Sequence, residues 1–251
     1  MLGFLKGRER ERKGFARMRT SPGEVVLLRG MWASPAVHRV AWALRLKGIE
    51  YEYVEEDLEE KSKSLLELNP ITKKVPVLVH EGKPVVESLV ILEYIDEVWT
   101  YGAPLLPKNA YERSRARFLA TFLEDKGREA ARKLFFAGEG ERKDCLEAFE
   151  DILEVLEKEL IAKGEFFGGQ SIGYLDIVVG WIPFWLGVIV EKVLDFQVID
   201  AAKFPKFATW SKNFLPHFPG DMLESVITLP PEDMAIEYFT RFRNLHLVSA
   251  K

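Results

Sequence analysis

Two kinds of hydrophobic pattern divide this chain of 251 residues into two parts. Over residues 24–100, short runs rich in β-branched residues alternate with segments whose apolar residues recur at helical spacing. From residue 111 onwards the short runs disappear, and long helical patterns fill the remainder. Because the two periods require different secondary structures, the sequence predicts an α/β domain at 24–100, a linker at 101–110 and an all-α domain at 111–251.

The α/β part predicts the element order β-α-β-α-β-β-α. Its predicted strands are 24–29, 50–54, 74–79 and 84–86, and its predicted helices are 34–47, 62–68 and 87–99. A strand, a helix and a second strand in succession favour parallel pairing of the first two strands. Glu81-Gly82-Lys83 then predicts a hairpin turn between the last two strands.

The all-α part is predicted to contain helices at 111–136, 141–161 and 174–190, followed by shorter helices after Pro205, Gly220 and Pro231. One helix start carries a sharper local signature. Asp176 is spaced to accept a hydrogen bond from the N–H of Gly173, while Ile172 and Ile177 are spaced as a hydrophobic staple. This pattern predicts a stabilised central helix and not a catalytic site.

Composition disfavours several classes of function. The formal net charge is −4, so the chain lacks the basic field that nucleic-acid binding needs. Cys145 is the single cysteine, which excludes an internal disulfide and fits a reducing compartment such as the cytoplasm. The four histidines lack metal-ligand spacing, so we expect no metal. No other bound cofactor is expected either.

Two segments bear on membranes and targeting. The longest apolar run, 177–190, is interrupted by Pro183 and is shorter than the roughly 18–20 residues that a membrane span needs, so no span is expected. Residues 1–19 carry seven basic and two acidic side chains, a net of 7 − 2 = +5, with few apolar positions. Residues 1–23 therefore predict a flexible basic tail instead of a secretory signal.

Two predicted helix starts carry side chains that suit a charged ligand. Ser34 follows the first strand and precedes Pro35, where its Oγ can donate to an anion or serve as an ordinary N-cap. Glu87-Ser88 begins the third helix, where free N–H groups and the Ser88 hydroxyl suit a carboxylate and Glu87 suits an ammonium group. Each feature alone is common in proteins, and local spacing leaves both interpretations open.

Four segments together resemble a known family, the plant tau-class glutathione S-transferases, in their residues, order and spacing. The segments are Trp32-Ala33-Ser34-Pro35, Leu68-Asn69-Pro70, Lys73-Lys74-Val75-Pro76-Val77-Leu78 and Glu87-Ser88-Leu89-Val90-Ile91-Leu92-Glu93-Tyr94-Ile95. The resemblance covers residues 24–100 closely and the helical part more loosely. It implies a thioredoxin-like domain followed by an all-α domain, with a cis peptide bond before Pro76.

The resemblance also implies an activity and the residues that carry it. The expected enzyme uses glutathione as co-substrate and conjugates it to hydrophobic electrophiles, and glutathione peroxidase activity of the same thiolate is a further expectation. Ser34 resembles the family's catalytic serine, and the expected glutathione contacts are Lys61, Lys74, Val75, Glu87 and Ser88. Arg39 and Asp125 resemble members of a polar network near the γ-glutamyl group. The family also implies a cytoplasmic homodimer, to which Trp99 and Phe118 could contribute, with roles in detoxification and stress response.

The electrophile is expected beside the thiolate, in a pocket lined by Trp32, Ala36, Glu129, Lys133, Trp185 and Tyr238, with Phe239 nearby. Ala36 departs from the family, which commonly has an aromatic residue there, and the loss of a ring would widen the pocket. Two alternatives stay open: a carrier of hydrophobic small molecules with little turnover, and a scaffold that has lost glutathione binding. The intact Ser34, Lys74 and Glu87-Ser88 set opposes the scaffold.

Overall fold

The computed structural model describes residues 25–218 and 229–249. The predicted basic tail at 1–23 and the helix expected after Gly220 lie outside these residues. Within them, a four-stranded sheet and its helices come first and a helical part follows, as the hydrophobic patterns predicted. The domain boundaries themselves stay a prediction.

The predicted element order of the first part is confirmed. The strands are β1 (Val26–Gly30), β2 (Glu52–Glu55), β3 (Val77–His80) and β4 (Lys83–Val86), and the helices are α1 (Pro35–Leu46), α2 (Lys63–Leu68) and α3 (Ser88–Val98). The sheet order is β2-β1-β3-β4, with β1 and β2 parallel as predicted. β3 is antiparallel to β1 and forms a hairpin with β4. The predicted ends differ by up to three residues, because short strands end where partner hydrogen bonds end, which is a tertiary property.

The strand register brings four chain segments to one end of the sheet. Gly30, the last residue of β1, lies opposite Glu55, the last residue of β2. Val77, the first residue of β3, lies opposite both Arg29 of β1 and Val86, the last residue of β4. The loop after β1, the loop after β2, the chain before β3 and the start of α3 therefore meet at this end.

The helical part comprises α4 (Ala110–Phe122), α5 (Arg128–Phe136), α6 (Arg142–Lys163), α7 (Tyr174–Val179), α8 (Glu191–Leu194), α9 (Pro205–Phe214) and α10 (Glu232–Ser249). Two of the predicted helices change their winding. Wider π-helical turns occupy Leu123–Gly127, between α4 and α5, and Ile182–Val190, between α7 and α8. Pro183 lies in the second of these and has no N–H to donate to the preceding turn, a usual cause of altered winding. Hydrophobic spacing alone did not predict either segment.

The apolar run at 177–190 was expected to be too short for a membrane span. In the structure it belongs to a longer helical stretch, Tyr174–Leu194. By length and composition it could cross a membrane, since it has 21 residues and includes an 18-residue window with a mean hydropathy of 1.8. In this structure 72% of its apolar window is buried inside the protein. A helix that is apolar on all sides is either a membrane span or a core helix, and this burial is that of a core helix.

Asp176 performs the capping role predicted for it and more. Its Oδ2 accepts from the N–H groups of Gly173 at 2.9 Å and Gly168 at 2.8 Å. Its Oδ1 accepts from the N–H of Phe167 at 2.9 Å and from Nε1 of Trp210 at 2.7 Å. The carboxylate thus joins the start of α7 to the preceding loop and to α9.

A second carboxylate, that of Asp96 in α3, is 11% exposed and ties the sheet part to the segment that leads to α4. Lys47, just after α1, forms an ion pair with it at 2.7 Å, and the Lys47 side chain is only 1% exposed. Asp96 also accepts from the backbone N–H groups of Leu105 and Leu106, at 2.8 and 2.9 Å. One continuous apolar core runs beneath these contacts from the sheet into the helices.

Candidate functional site

A cavity of about 620 Å³ opens between the start of α1 and the helical part. Ser34, Pro35 and Ala36 form one end of it. Six aromatic side chains supply most of its apolar wall: Phe135, Phe136, Trp181, Trp185, Phe239 and Phe242. Apolar walls beside a few polar groups are typical of sites for small organic ligands.

Ser34 stands at the N-cap position of α1, yet its hydroxyl does not cap the helix. Its backbone makes the local bonds instead: the N–H donates to the Met31 carbonyl at 2.9 Å, and the carbonyl accepts from the N–H of Val37 at 3.0 Å. Ser62 shows the ordinary alternative, because its Oγ accepts from the N–H of Leu65 at 3.0 Å. The Ser34 hydroxyl is therefore half-buried at the cavity without a capping bond.

The expected glutathione contacts lie at the end of the sheet where the four segments meet. Val75 precedes Pro76 through a cis peptide bond, immediately before β3. Glu87 is exposed and adopts φ +67°, a conformation that non-glycine residues rarely adopt and that often marks a binding site. Ser88 begins α3 and is buried, whereas Lys61 and Lys74 are exposed at the surface.

Arg39 is the buried cation of the site, with 2% of its surface exposed. Its Nη1 donates to the Ser88 Oγ at 2.8 Å, and its Nη2 donates to Glu124 Oε1 at 2.7 Å. A third bond, at 3.3 Å, goes from Nη2 to the carbonyl of Val178 in α7. The acidic partner of Arg39 is thus Glu124 and not Asp125, which is exposed and lines the cavity.

Glu124 is held in its ionised form. Burial raises the pKa of its carboxyl, but the charges and hydrogen bonds of Arg39 and Arg128 outweigh burial, so the net pKa lies below its ordinary value. The Arg128 Nη1 donates to the other oxygen of Glu124 at 2.9 Å. Because Arg39 belongs to α1 and Glu124 to the helical part, this charged pair joins both parts of the chain at the cavity.

The residues expected around the electrophile fall into two groups. Ala36, Glu129 and Trp185 line the cavity. Trp32 and Tyr238 are not among the lining residues and contact each other edge to face, with ring centroids 5.0 Å apart. Lys133 is also outside the lining, where its exposed ammonium pairs with Glu129 at 2.9 Å.

Sequence reasoning missed several residues of the cavity wall, among them Phe135, Phe136, Trp181 and Phe242. Their spacing on helices is that of core residues, so the pattern predicts burial without saying what covers them. One pattern in the sequence could have identified part of this wall: Glu129, Arg132 and Phe136 recur at the spacing of one face of α5, and Glu129 was already expected at the pocket. Over residues 25–218 and 229–249, no three His, Cys, Asp or Glu side chains are grouped as a metal site.

Comparisons with known proteins place this geometry in a family. The family model described as "Glutathione S-transferase, N-terminal domain" matches residues 24–97. "Glutathione transferase GST 23" of Zea mays is 56% identical over 187 residues, which are 74% of this chain and 83% of that protein. The crystal structure of a tau-class glutathione S-transferase from mango, Mangifera indica, superposes with a TM-score of 0.76 at 37% identity, covering 85% of this chain and 96% of the mango chain. The chain belongs to the tau class of plant glutathione S-transferases.

Two further relatives support the assignment of this chain to the glutathione S-transferases. "Glutathione S-transferase U7" of Arabidopsis thaliana is 45% identical over 231 residues, covering 92% of this chain and 98% of that protein. A rice enzyme, solved in complex with glutathione, superposes with a TM-score of 0.76 at 32% identity over 88% of this chain and 97% of its own. The thioredoxin-like fold of the first part and the glutathione transferase activity expected from the sequence are thereby confirmed.

Proposed function

We propose that this glutathione S-transferase binds glutathione at the sheet end, with its sulfur beside the Ser34 hydroxyl, and transfers the thiolate to a hydrophobic electrophile in the aromatic cavity. The observation that carries the proposal is the Ser34 side chain, which faces the cavity and makes no capping bond to its own helix. A capping bond would turn the oxygen toward the helix N–H groups, so its absence leaves the Ser34 O–H free to turn toward an anion in the cavity.

The chemistry requires that the sulfur be ionised. A free thiol has a pKa of about 8.5, so only a few per cent is thiolate near neutrality. A hydrogen bond to a charged acceptor contributes about 1.5–3 kcal/mol, and a helix N-terminus about 0.3–1 kcal/mol. At about 1.4 kcal/mol per pKa unit, the two together lower the thiol pKa by about one to three units.

The remaining contacts would hold the two ends of the tripeptide. Glu87 and Ser88 receive the γ-glutamyl ammonium and carboxylate, and the Ser88 hydroxyl can still donate its proton while its oxygen accepts from Arg39. The backbone of Val75 pairs with the ligand peptide as an added strand would. Lys61 and Lys74, both exposed, supply cations for the other carboxylate.

A carrier function is the second candidate, because the aromatic lining of the cavity would also retain apolar molecules that do not react. We further propose peroxidase activity by the same thiolate, a cytoplasmic location, a homodimer, and roles in detoxification and stress response. These proposals rest on membership of the family and on the expectations from the sequence.

Ser34→Ala and Ser62→Ala form a matched pair that tests the mechanism. Titrating the ultraviolet absorbance of bound glutathione thiolate should show a pKa about one to two units higher in Ser34→Ala, because one charge-assisted hydrogen bond is lost. The rate with a chromogenic aryl halide should fall about ten- to hundredfold, with glutathione affinity changed less. Ser62→Ala should instead lose about 0.5–2 kcal/mol of stability, with the thiol pKa unchanged, since its hydroxyl caps α2.

The two outcomes that matter are distinct. An unchanged thiol pKa in Ser34→Ala would remove the serine from the mechanism. A wild-type protein that binds apolar dyes in the cavity but shows no glutathione-dependent turnover of any aryl halide tested would favour the carrier.

A further inference from the structure

Trp32, two residues before Ser34, has both of its backbone polar groups held by side chains from other elements. Its N–H donates to Oε1 of Glu55 at 3.0 Å. Its carbonyl accepts from Nε2 of His38 at 2.7 Å. We propose that His38 and Glu55 form a clamp on the Trp32 backbone that positions the Ser34 hydroxyl for the glutathione sulfur, an inference that rests on the function proposed above.

Glu55 holds one side of the clamp on a rigid support. It is the last residue of β2, and its backbone lies opposite Gly30 at the end of β1. Its second carboxylate oxygen accepts from the hydroxyl of Tyr53 at 2.6 Å, which fixes the orientation of the carboxylate. The loop that carries Ser34 therefore leaves the sheet and is at once tied back to the neighbouring strand.

His38 holds the other side from within α1. The ring is fully buried, and it packs against Trp185 and Trp42 with centroid distances of 4.9 and 6.2 Å. Because a carbonyl only accepts, Nε2 must carry the hydrogen of this bond. Burial lowers the pKa of His38 to about 4, against the smaller opposite effect of the bond to Trp32, so the ring is neutral near pH 7.

The second nitrogen of His38 argues for a positioning role over plain packing. Nδ1 is buried and has no hydrogen-bond partner in the described structure. An unpaired buried polar atom costs about 1–3 kcal/mol, a cost that leucine at this position would not incur. What histidine supplies here and leucine would not is the hydrogen bond to the Trp32 carbonyl. We infer that the effect of this bond on the Ser34 loop offsets the cost of the unpaired nitrogen.

The clamp matters because the thiolate is stabilised by one hydroxyl, whose hydrogen bond weakens steeply with distance and angle. A misplacement of about 1 Å can cost about a hundredfold in rate, so partial loosening of the loop should cost about tenfold. His38 and Glu55 are thus positioning residues that act through Ser34 and do not themselves contact the sulfur.

Four variants test the clamp. His38→Leu and Glu55→Leu each remove one bond to Trp32, whereas His38→Gln and Glu55→Gln keep a donor or an acceptor at that place. We expect the leucine variants to raise the pKa of the bound glutathione thiol by about one unit and to lower kcat about tenfold, with glutathione affinity changed less than threefold. The glutamine variants should restore most of both values.

Controls separate this result from loss of stability and from failure of the proposed function. Glu52→Leu replaces another exposed glutamate of β2, at the end far from Trp32, and should leave the thiol pKa unchanged. In a Ser34→Ala background, Glu55→Leu should have no further effect on the thiol pKa, because it acts through that hydroxyl. Since Glu55 is exposed, this variant folds even if His38→Leu does not.

The outcomes are separable. If Ser34→Ala raises the thiol pKa but Glu55→Leu and a folded His38→Leu do not, the clamp is wrong and the serine mechanism stands. If Ser34→Ala itself has no effect, the proposed function fails first. Leucine variants that lose thermal stability with an unchanged thiol pKa would show a purely structural role and would also overturn the clamp.

Discussion

Replacing Asp176 by asparagine should destabilise the protein more than any surface charge change. Each carboxylate oxygen of Asp176 accepts two N–H groups, at distances between 2.7 and 2.9 Å. Asparagine keeps one oxygen and replaces the other by an NH₂ group, which cannot accept. Whichever way the amide turns, two N–H groups lose their acceptor: those of Gly168 and Gly173, of which only the second is buried, or those of Phe167 and Trp210, which are both buried.

The size of the effect follows from that count. A buried donor left without a partner costs about 1–3 kcal/mol, so the orientation that leaves the N–H of Gly173 unpaired costs about that much, and the other orientation, with two buried donors, costs about 2–6 kcal/mol. Folded domains are stable by only about 5–15 kcal/mol, so the variant should lose a large fraction of its free energy of unfolding. Asp151→Asn is the matched control, because Asp151 is an exposed carboxylate on α6, and it should stay within about 0.5 kcal/mol of wild type.

The pH dependence of Asp176→Asn supplies a second measurement. Burial raises the pKa of Asp176 from 3.8 to about 6, although its four N–H donors oppose this shift. Between these values the folded state binds more protons than the unfolded state, so stability is lost as pH rises. From pH 5 to pH 7, wild type should lose about 1 kcal/mol relative to the variant, in which this position does not titrate.

Denaturant unfolding of wild type and both variants at pH 5 and pH 7 would measure these differences. Groups common to all three proteins cancel in the comparison. An Asp176→Asn variant that unfolds within 0.5 kcal/mol of Asp151→Asn would refute the reasoning, because it would mean that the two N–H groups are satisfied elsewhere.

Two further changes test the packing that supports the site. Lys47→Met should cost up to about 3–5 kcal/mol, because it leaves the half-buried carboxylate of Asp96 without its cation, and a loss below about 1 kcal/mol in denaturant unfolding would contradict this. Gly180→Ala should cost about 1–3 kcal/mol, because the added methyl group would lie 2.5 Å from the ring of Phe214. Gly140→Ala is the control: its methyl group would meet nothing within 4 Å, so the thermal midpoint should stay nearly unchanged. Equal midpoints for the two alanine variants would show that the helix around Gly180 can shift without cost.

Much of the fold could be predicted because its signals are local. Three examples depend on residues only a few positions apart. They are the helix start at Ser34-Pro35, the helix end at Gly48 with φ +67°, and the bond from the Gly173 N–H to Asp176. The alternation of strand and helix patterns was likewise enough for the element order and the parallel first pair. Local propensity and capping act within one or two turns, so a sequence read in short windows contains them.

The composition of the cavity could be predicted only in part. Ala36, Glu129 and Trp185 were expected and line it, while Trp32, Lys133 and Tyr238 were expected and do not. A helical pattern identifies an apolar face but not the element that covers it. Which aromatic side chains face a cavity and which face each other depends on how distant helices pack.

The amino-acid sequence by itself therefore determined the element order, the helix starts and the polar residues that gather at one end of the sheet. The tertiary structure decided which of them act together. Arg39 contacts Ser88 and Glu124, which lie 49 and 85 positions away in the chain. Its ion pair is with Glu124 and not with the adjacent Asp125. Glu55 reaches Trp32, 23 positions earlier in the chain, only because β2 pairs with β1. Such contacts depend on register and packing between segments far apart in the chain, which no local pattern encodes.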